Sequence, residues 1–324
     1  MVNNTRVGII GLGKMGLLHA SIINTLPNVE LSMFCDRGTI VRKFVGKMFN
    51  SIQITDEVKK LRKSDLDVAY VTTPIPTHFP IMKEIYTEDV ARNVFVEKTL
   101  TSSYKESKEL IGLARDSGGI NMVGYMQRYA VTFRKAKDLM DKGSIGRIVS
   151  FDAYAYSSDF FGGTRKGTSR GGVLRDTGSH IIDMALWYFR DLRVEVATLH
   201  PSSFGNEDSA ELVVKTPDGL KGNLKISWCQ SGYRMPEFGL SVLGTEGSII
   251  VNNDEVRLQL NNERTSIWYR QDLNDNVKFL LGGPEYYRED EQFFKSILNK
   301  GHADPDFENG SRVEFFLGQI NGDV

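Results

Sequence analysis

Apolar and polar positions follow two alternating periods in the first third of the chain. Short apolar runs, "RVGIIG", "VELSMFCD", "LDVAYVTTP", "NVFVEK" and "INMVGYM", predict strands. Between them, "MGLLHASIINTL", "FPIMKEIY" and "YKESKELIGLARDSG" repeat apolar residues every three or four positions and predict helices. Strands that alternate with helices favour right-handed crossovers, so this part is expected to be an α/β domain with a parallel sheet covered on both faces.

The pattern changes near Gly124, where longer alternating runs replace the strand–helix rhythm. "RVEVATLHP", "AELVVKTPDG", "LKGNLKISWCQ" and "FGLSVLGTEGSIIVNN" predict neighbouring strands, with turns at "TPDGL" and "GTEGS". Helices are predicted at "VTFRKAKDLMDKG", around His180 and at "EYYREDEQFFKSILNKG". We expect an α+β domain with a large, mainly antiparallel open sheet and helices on one face. The boundary is placed near residue 122, giving domains 1–122 and 123–324.

Composition and charge exclude several classes of protein. The chain has 324 residues, which suits two domains, and its net charge of -1 gives no reason to expect nucleic acid or a membrane surface as partner. No apolar run approaches the ~20 residues of a membrane span. Cys35 and Cys229 form neither a CxxC pair nor a Cys/His cluster. We therefore expect no metal site, no disulfide framework and a cytoplasmic location.

A glycine-rich loop predicts a dinucleotide site. "GIIGLGKMGLLHA" has G-x-G-x-x-G spacing after a strand and at the start of a helix. Gly11 permits the tight turn, Gly13 lets the backbone approach a pyrophosphate, and Gly16 allows close packing of helix on strand. Asp36, at the end of the second strand, can accept hydrogen bonds from ribose hydroxyls and favours NAD. Arg37 could pair with a 2′-phosphate, so NADP stays open.

Two further strands end in "VTTPIPTH" and "FVEKT", and ligands of open parallel sheets bind outside the carboxyl ends of the strands. The residues predicted to bind the dinucleotide are therefore Gly11, Leu12, Gly13, Lys14, Met15, Gly16, Asp36, Arg37, Thr73, Pro74, His78, Glu97 and Lys98.

The segment "GGVLRDTGSHIID" is the second candidate for chemistry. On a helix, Asp176, His180 and Asp183 share one face, opposite an apolar face, but this geometry alone is neutral between solvent and an active site. Asp176 could also be the N-cap of that helix. For Lys98, a solvated lysine at a strand end is the competing interpretation.

Five segments taken together resemble one known family. "GLGKMG", "VTTPIPTH", "VEKT", "VGYMQR" and "GGVLRDTGSHIID" occur in the order of the glucose–fructose oxidoreductase / inositol dehydrogenase / rhizopine-catabolism (Gfo/Idh/MocA) family, over residues 5 to 190. The resemblance implies an NAD(P)-dependent dehydrogenase with a Rossmann domain, followed by an open-sheet substrate domain that forms homodimers or homotetramers. It also implies hydride transfer to or from a ring hydroxyl or ketone of a sugar, an inositol or a sugar derivative.

The same resemblance implies catalytic roles for Lys98, Asp176 and His180, which match the family's Glu-Lys-Pro and D-x-G-x-H-x-x-D patterns. His180 would act as general base, Lys98 would stabilise the charge on the substrate oxygen, and Asp176 would orient one of them. An alternative gives the base role to Lys98. The sequence departs from the family at Thr99, where proline is usual and the preceding bond is commonly cis; either isomer is open at this point.

Substrate recognition rests on a basic stretch and on aromatic residues. "SSDFFGGTRKGTSRGGVLR" could clamp an anionic sugar through its arginines, or it could be a solvated loop. The predicted contacts with a carbohydrate or polyol substrate are Lys98, Arg128, Tyr154, Arg165, Lys166, Asp176 and His180.

Two other functions compete with a sugar or polyol dehydrogenase. One is a dinucleotide-binding sensor or regulator that keeps the fold without turnover, because fold does not fix function. The other is a reductase of an imine or a conjugated bond, which should not need the full lysine–histidine pair.

Overall fold

The structure is a computed structural model that describes residues 4–49, 52–159, 171–201, 207–261 and 264–324. By proximity of Cα atoms the chain divides into two compact units. The first contains residues 1–126 and 277–314, and the second contains residues 127–276 and 315–324. The segment 277–314, which the sequence assigned to the second domain, thus packs with the first unit. The division at residue 122 stays a prediction.

The first unit is built on a parallel sheet of six strands. They are β1 (Thr5–Ile10), β2 (Val29–Cys35), β3 (Gln53–Thr55), β4 (Val68–Val71), β5 (Asn93–Glu97) and β6 (Asn121–Gly124). Their order, β3-β2-β1-β4-β5-β6, reverses direction between β1 and β4. In doubly wound sheets a ligand binds at this reversal, outside the carboxyl ends of the strands. The predicted α/β Rossmann architecture is confirmed.

Helices accompany the strands of the first unit, as the sequence pattern predicts. They are α1 (Lys14–Ile23), α2 (Thr39–Met48), α3 (His78–Thr87) and α4 (Tyr104–Ser117). Helix α4 begins at Ser103, whose side chain accepts a hydrogen bond from the backbone N–H of Glu106 and so caps the helix. Strand β3 has only three residues, too few to show a period in the sequence.

The second unit holds an eight-stranded sheet. Its strands are β7 (Ile148–Tyr156), β8 (Arg193–Pro201), β9 (Glu207–Lys215), β10 (Lys221–Ser227), β11 (Glu237–Gly244), β12 (Gly247–Asn252), β13 (Glu255–Leu260) and β14 (Ser266–Tyr269). Their order is β14-β13-β12-β11-β7-β10-β9-β8. Only β7 and β10 pair in parallel, so the predicted mainly antiparallel sheet is confirmed.

Four more helices follow in the chain. They are α5 (Val131–Asp141), α6 (Ser179–Phe189), α7 (Pro284–Leu298) and α8 (Phe307–Asn321). Helices α5 and α6 pack on the eight-stranded sheet, where the ring of Phe189 stacks on that of Phe151 at 3.8 Å between centroids. Helix α7 packs against α1 in the first unit. Among the described residues, no helix is both long and apolar enough to cross a membrane.

Candidate active site

The glycine loop has the geometry that a dinucleotide requires. Gly11 has a φ of +97°, which strongly disfavours a side chain there, and a Cβ on Gly16 would lie 1.9 Å from the carbonyl oxygen of Gly11. A Cβ on Gly13 would meet no atom within 4 Å, so the space beside this backbone is open. Helix α1 begins directly after Gly13, and its first N–H groups and dipole can receive a phosphate. These residues fit the group that the sequence predicts.

Asp36 holds the loop and the turn after β2 together. Its Oδ2 accepts a hydrogen bond from the backbone N–H of Leu12 at 2.7 Å, and its Oδ1 accepts one from Gly38 at 2.7 Å. The side chain is half-buried. A carboxylate fixed by two backbone donors keeps its remaining lone pairs in a defined direction, which suits recognition of ribose hydroxyls.

A cavity of about 610 Å³ opens beside this loop. Among the residues predicted from the sequence, it is lined by Gly11, Gly13, Lys14, Met15, Asp36, Arg37, Thr73 and Pro74. Leu12 and Gly16 support the loop without lining the cavity, and His78, Glu97 and Lys98 do not line it either. The cavity therefore collects most of the predicted dinucleotide contacts at the reversal of the sheet.

Two supports of the cavity were missed by the sequence analysis. The hydroxyl of Thr72 donates to the carbonyl oxygen of Gly11 at 2.7 Å. Arg42 donates from Nη1 to the carbonyl oxygens of Asp36 and Arg37, at 2.7 and 2.8 Å. Both fix the backbone of predicted binding residues, and neither belongs to a motif that local spacing reveals.

The end of β5 places Lys98 at the carboxyl edge of the sheet. The side chain of Lys98 is half-buried, and its backbone N–H donates to Glu97 Oε2 at 3.1 Å. The peptide bond between Lys98 and Thr99 is cis. Lys98 therefore occupies the strand end that its sequence position predicted.

His78 is a brace between two strand ends. It is fully buried, with Nδ1 2.8 Å from the carbonyl oxygen of Thr99 and Nε2 2.7 Å from that of Thr73. Burial lowers the pKa of His78. The structure thus gives His78 a place behind the cavity, where it ties β4 to β5.

In the second unit, a π-helical turn carries Asp176. This turn spans Leu174–Gly178 and runs directly into α6. Before it, Gly172 has a φ of +89°, and the Glu207 carboxylate accepts the backbone N–H of Leu174 at 3.1 Å. A Cβ on Gly172 would lie 2.2 Å from Glu207, so the glycine makes room for this cap. Such π turns are rare and occur often at functional sites.

His180 lies in the first turn of α6, four residues after Asp176. Its side chain is buried, with the ring 5.4 Å from that of Phe238 in an edge-to-face arrangement. The Asp176 side chain is half-buried. The proposed polar face of this helix is therefore not a solvated one.

Arg128 and Asp183 form a buried ion pair in the same unit. Arg128 donates from Nε to Asp183 Oδ2 at 2.8 Å and from Nη2 to Oδ1 at 2.6 Å. The side chains are 4% and 1% exposed, and the guanidinium lies 5.8 Å from the ring of Trp187. Asp183 and Trp187 both belong to α6. The pair therefore holds the helix that carries His180, while substrate contact by Arg128 stays a prediction.

Tyr154 lies on the other face of the sheet from His180. Along β7, Phe151 and Ala155 point toward α6, and the intervening Tyr154 points away from it because side chains alternate in a strand. Its ring covers Gly239, and its hydroxyl donates to Glu237 at 2.6 Å. This position does not support the expected contact with a substrate bound at His180; Tyr154 packs the opposite surface.

Several predicted residues need separate statements. Arg165 and Lys166 lie outside the described residues. Lys98 belongs to the first unit, and Asp176 and His180 belong to the second, so each was described within its own unit. Within the described ranges, no group of three or more His, Cys, Asp and Glu residues is arranged to hold a metal ion.

Two family models match most of the chain. A model described as an oxidoreductase family with an NAD-binding Rossmann fold matches residues 5–125. A model described as the GFO/IDH/MocA C-terminal domain matches residues 133–250. Together they cover the glycine loop, Lys98, Asp176 and His180.

Named relatives cover the chain at low identity. Levoglucosan dehydrogenase of Pseudarthrobacter phenanthrenivorans is 23% identical over 96% of this chain and 94% of its own. The scyllo-inositol 2-dehydrogenase (NAD(+)) of Bacillus subtilis is 26% identical over 78% of this chain and 75% of its own. A solved levoglucosan dehydrogenase, in complex with NADH and levoglucosan, has a TM-score of 0.86 at 21% identity, covering 99% of this chain and 97% of that one. That structure shows the shared fold.

Asp36→Asn tests the cofactor site. The change removes the charge that holds Leu12 and favours ribose hydroxyls over a 2′-phosphate, and charged hydrogen bonds contribute about 1.5–3 kcal/mol. We expect the Kd for NAD to rise ~10- to 100-fold and that for NADP to rise less. Titration calorimetry with both cofactors measures this. As control, Asp67→Asn removes a similar carboxylate that accepts from Arg6 N–H at 2.8 Å, and should change neither Kd. Equal losses for NAD and NADP in Asp36→Asn would contradict the assignment.

Arg128→Met tests the ion pair behind His180. It leaves the Asp183 carboxylate buried without its guanidinium, so the free energy of unfolding should fall by about 3–5 kcal/mol. Arg128→Met/Asp183→Leu removes both charges and should recover most of the loss. Urea unfolding followed by tryptophan fluorescence gives these values. Arg134→Met removes an exposed arginine that bonds only one backbone oxygen among the bonds described, and serves as control. If both single variants unfold alike, the ion pair does not hold α6.

Proposed function

The chain belongs to the GFO/IDH/MocA family of oxidoreductases with an NAD-binding Rossmann domain, and on this premise we propose its reaction and its site. It transfers hydride between a nicotinamide dinucleotide and a ring hydroxyl or ketone of a sugar, an inositol or a sugar derivative. The named relatives, which include an inositol and an anhydrosugar dehydrogenase, support this substrate class.

The observation that carries the proposal is the cavity beside Gly13 and Asp36. It joins an open backbone approach, a helix N-terminus and a carboxylate fixed at the end of β2. Asp36 supports NAD as the preferred cofactor, because its negative charge would repel a 2′-phosphate. The exposed Arg37 lines the same cavity and could offset part of this repulsion.

In this proposal three side chains act on the substrate oxygen. His180 takes the hydroxyl proton in oxidation and returns it in reduction. Lys98 donates a hydrogen bond to the same oxygen and stabilises its developing negative charge. Asp176, one turn before His180, orients the imidazole and favours its protonated form. The bound nicotinamide supplies or accepts the hydride. The burial of His180 supports this scheme because a water-poor setting strengthens such interactions.

We also propose that the open face of the eight-stranded sheet joins copies of the chain. Within the described part of the chain, the helices that contact this sheet lie on the face of Phe151. The opposite face exposes Val196, Leu243, Ile250, Ile267 and Tyr269, each by 40–54% of its surface. A continuous apolar face of this kind supports a homodimer or homotetramer. A cytoplasmic location and an anionic substrate stay predictions.

Substrate turnover tests the proposed reaction. Wild-type protein, offered inositols, aldoses, anhydrosugars and nucleotide sugars with NAD or NADP, should form reduced cofactor with at least one of them. His180→Ala and Lys98→Met should lower kcat about 10²- to 10⁴-fold and keep cofactor affinity, because they remove proton transfer and charge stabilisation. His200→Ala, an exposed histidine on β8, should keep wild-type turnover. Cofactor binding without turnover of any substrate would favour the sensor.

A charge on the open sheet face tests assembly. Ile250→Arg places a cation in the apolar face, where association would bury it, so the oligomer should dissociate. Light scattering after size-exclusion chromatography gives the mass. Ile40→Arg, on α2 and 84% exposed, should leave the mass unchanged. A wild-type monomer, or an Ile250→Arg protein of unchanged mass, would exclude this interface.

A further inference from the structure

A buried histidine of α1 lies between two carboxylates in the first unit, and the proposed reaction does not use it. His19 has no exposed surface. Its Nδ1 is 2.9 Å from Asp290 Oδ1 on α7, and its Nε2 is 3.0 Å from Glu97 Oε1 at the end of β5. The hydroxyl of Tyr70, from β4, donates to the same Asp290 oxygen at 3.1 Å. One ring thus connects a helix, a strand end and a second helix.

The two carboxylates define the protonation state of this ring. Ionised carboxylates only accept hydrogen bonds, so both ring nitrogens must carry hydrogen, as in imidazolium. Burial alone would lower the pKa of His19, but the attraction and hydrogen bond of Asp290, with those of Glu97, outweigh it and hold the pKa well above its usual value. The uncharged rings of Phe95 and Tyr286 complete the surroundings. Helix α7 also carries the carboxylates Glu285 and Glu289.

Glu97 passes this restraint to the next residue. Its Oε1 is held by His19, and its Oε2 accepts the backbone N–H of Lys98 at 3.1 Å. Gly124 on β6 leaves room for this carboxylate, because a Cβ there would lie 3.3 Å from Oε2. If the carboxylate turned, the N–H of Lys98 would lose this acceptor.

We propose that His19 is a positioning residue for Lys98. The His19–Asp290 pair fixes the Glu97 carboxylate so that its second oxygen anchors the backbone of Lys98. His19 touches neither cofactor nor substrate in this account, and it acts through Glu97. The inference rests on the proposed function only in treating Lys98 as the group whose position matters for turnover.

Two substitutions separate positioning from a purely structural role. The amide nitrogen of asparagine can replace Nδ1, and that of glutamine can replace Nε2. His19→Asn therefore keeps the donor to Asp290 and loses the donor to Glu97, and His19→Gln does the reverse. Both remove the buried cation, so each is the control for the other in stability. Tyr70→Phe removes only the hydroxyl at Asp290 and should keep wild-type kcat.

We expect His19→Asn to lower kcat about 10- to 100-fold, with a smaller change in KM for NAD, because a small displacement of a reacting group costs this much. The kcat of His19→Gln should exceed that of His19→Asn at least ~10-fold. Equal kcat values for the two variants would overturn the proposal and leave His19 as a tie between α7 and the sheet.

A second readout does not depend on turnover. A short pulse of acetic anhydride, analysed by peptide mass spectrometry, gives the acetylation rate of Lys98 relative to the exposed Lys43 in the cofactor-free protein. The relative rate in His19→Asn should differ from wild type at least ~3-fold, and His19→Gln should lie closer to wild type. Equal rates in all three proteins would overturn the proposal. If wild type forms no reduced cofactor, the proposed function fails, while the labelling still decides the role of His19.

The pH dependence of stability provides a third measure. The folded pKa of His19 lies above the unfolded value of ~6.5, so its stabilisation is complete below ~pH 6.5 and is lost as pH rises through the folded pKa. The unfolding free energy of wild type should therefore fall more steeply toward alkaline pH than that of His19→Gln. Parallel pH profiles would contradict a charged His19.

Discussion

A charge that is withdrawn from water must be paired inside the protein, and both units depend on this constraint. In the first unit, His19 lies between Asp290 and Glu97 without any exposed surface. In the second, Arg128 and Asp183 are joined by two hydrogen bonds and are almost fully buried. Each cluster lies beside a candidate catalytic residue. Glu97 precedes Lys98, and Asp183 is one helical turn after His180.

Buried ion pairs of this kind do not make a fold stable by themselves. The loss of hydration is comparable to the attraction gained, and well-packed apolar residues often serve stability equally well. What the pairs supply is direction, because a carboxylate that accepts two fixed donors cannot turn. Catalytic groups need such support, since small displacements reduce turnover strongly. The two clusters thus give a physical reason for polar residues where an apolar core would suffice for folding.

The sequence predicted those features that depend on local spacing. The glycine loop, Asp36, the strand ends and the alternation of strands with helices are read from residues close together in the chain, and both sheets follow that pattern. The contacts behind the site are different, because Arg128 and Asp183 are 55 residues apart and His19 and Asp290 are 271 apart. No local period connects such residues. Alternation also predicted that β7 has two faces, but only packing shows that α6 covers the face of Phe151, which leaves Tyr154 on the other.

The central claim is that this chain moves hydride between a ring carbinol and nicotinamide, with His180 as the base. Isotope transfer tests it most directly. An inositol or anhydrosugar that the protein oxidises, deuterated at its carbinol carbons, is incubated with NAD and the protein, and the mass of the reduced cofactor is measured. The account predicts deuterium on the reduced nicotinamide ring with wild type, and a loss of this product with His180→Ala. Reduced cofactor without deuterium, or undiminished deuterium transfer by His180→Ala, would contradict it.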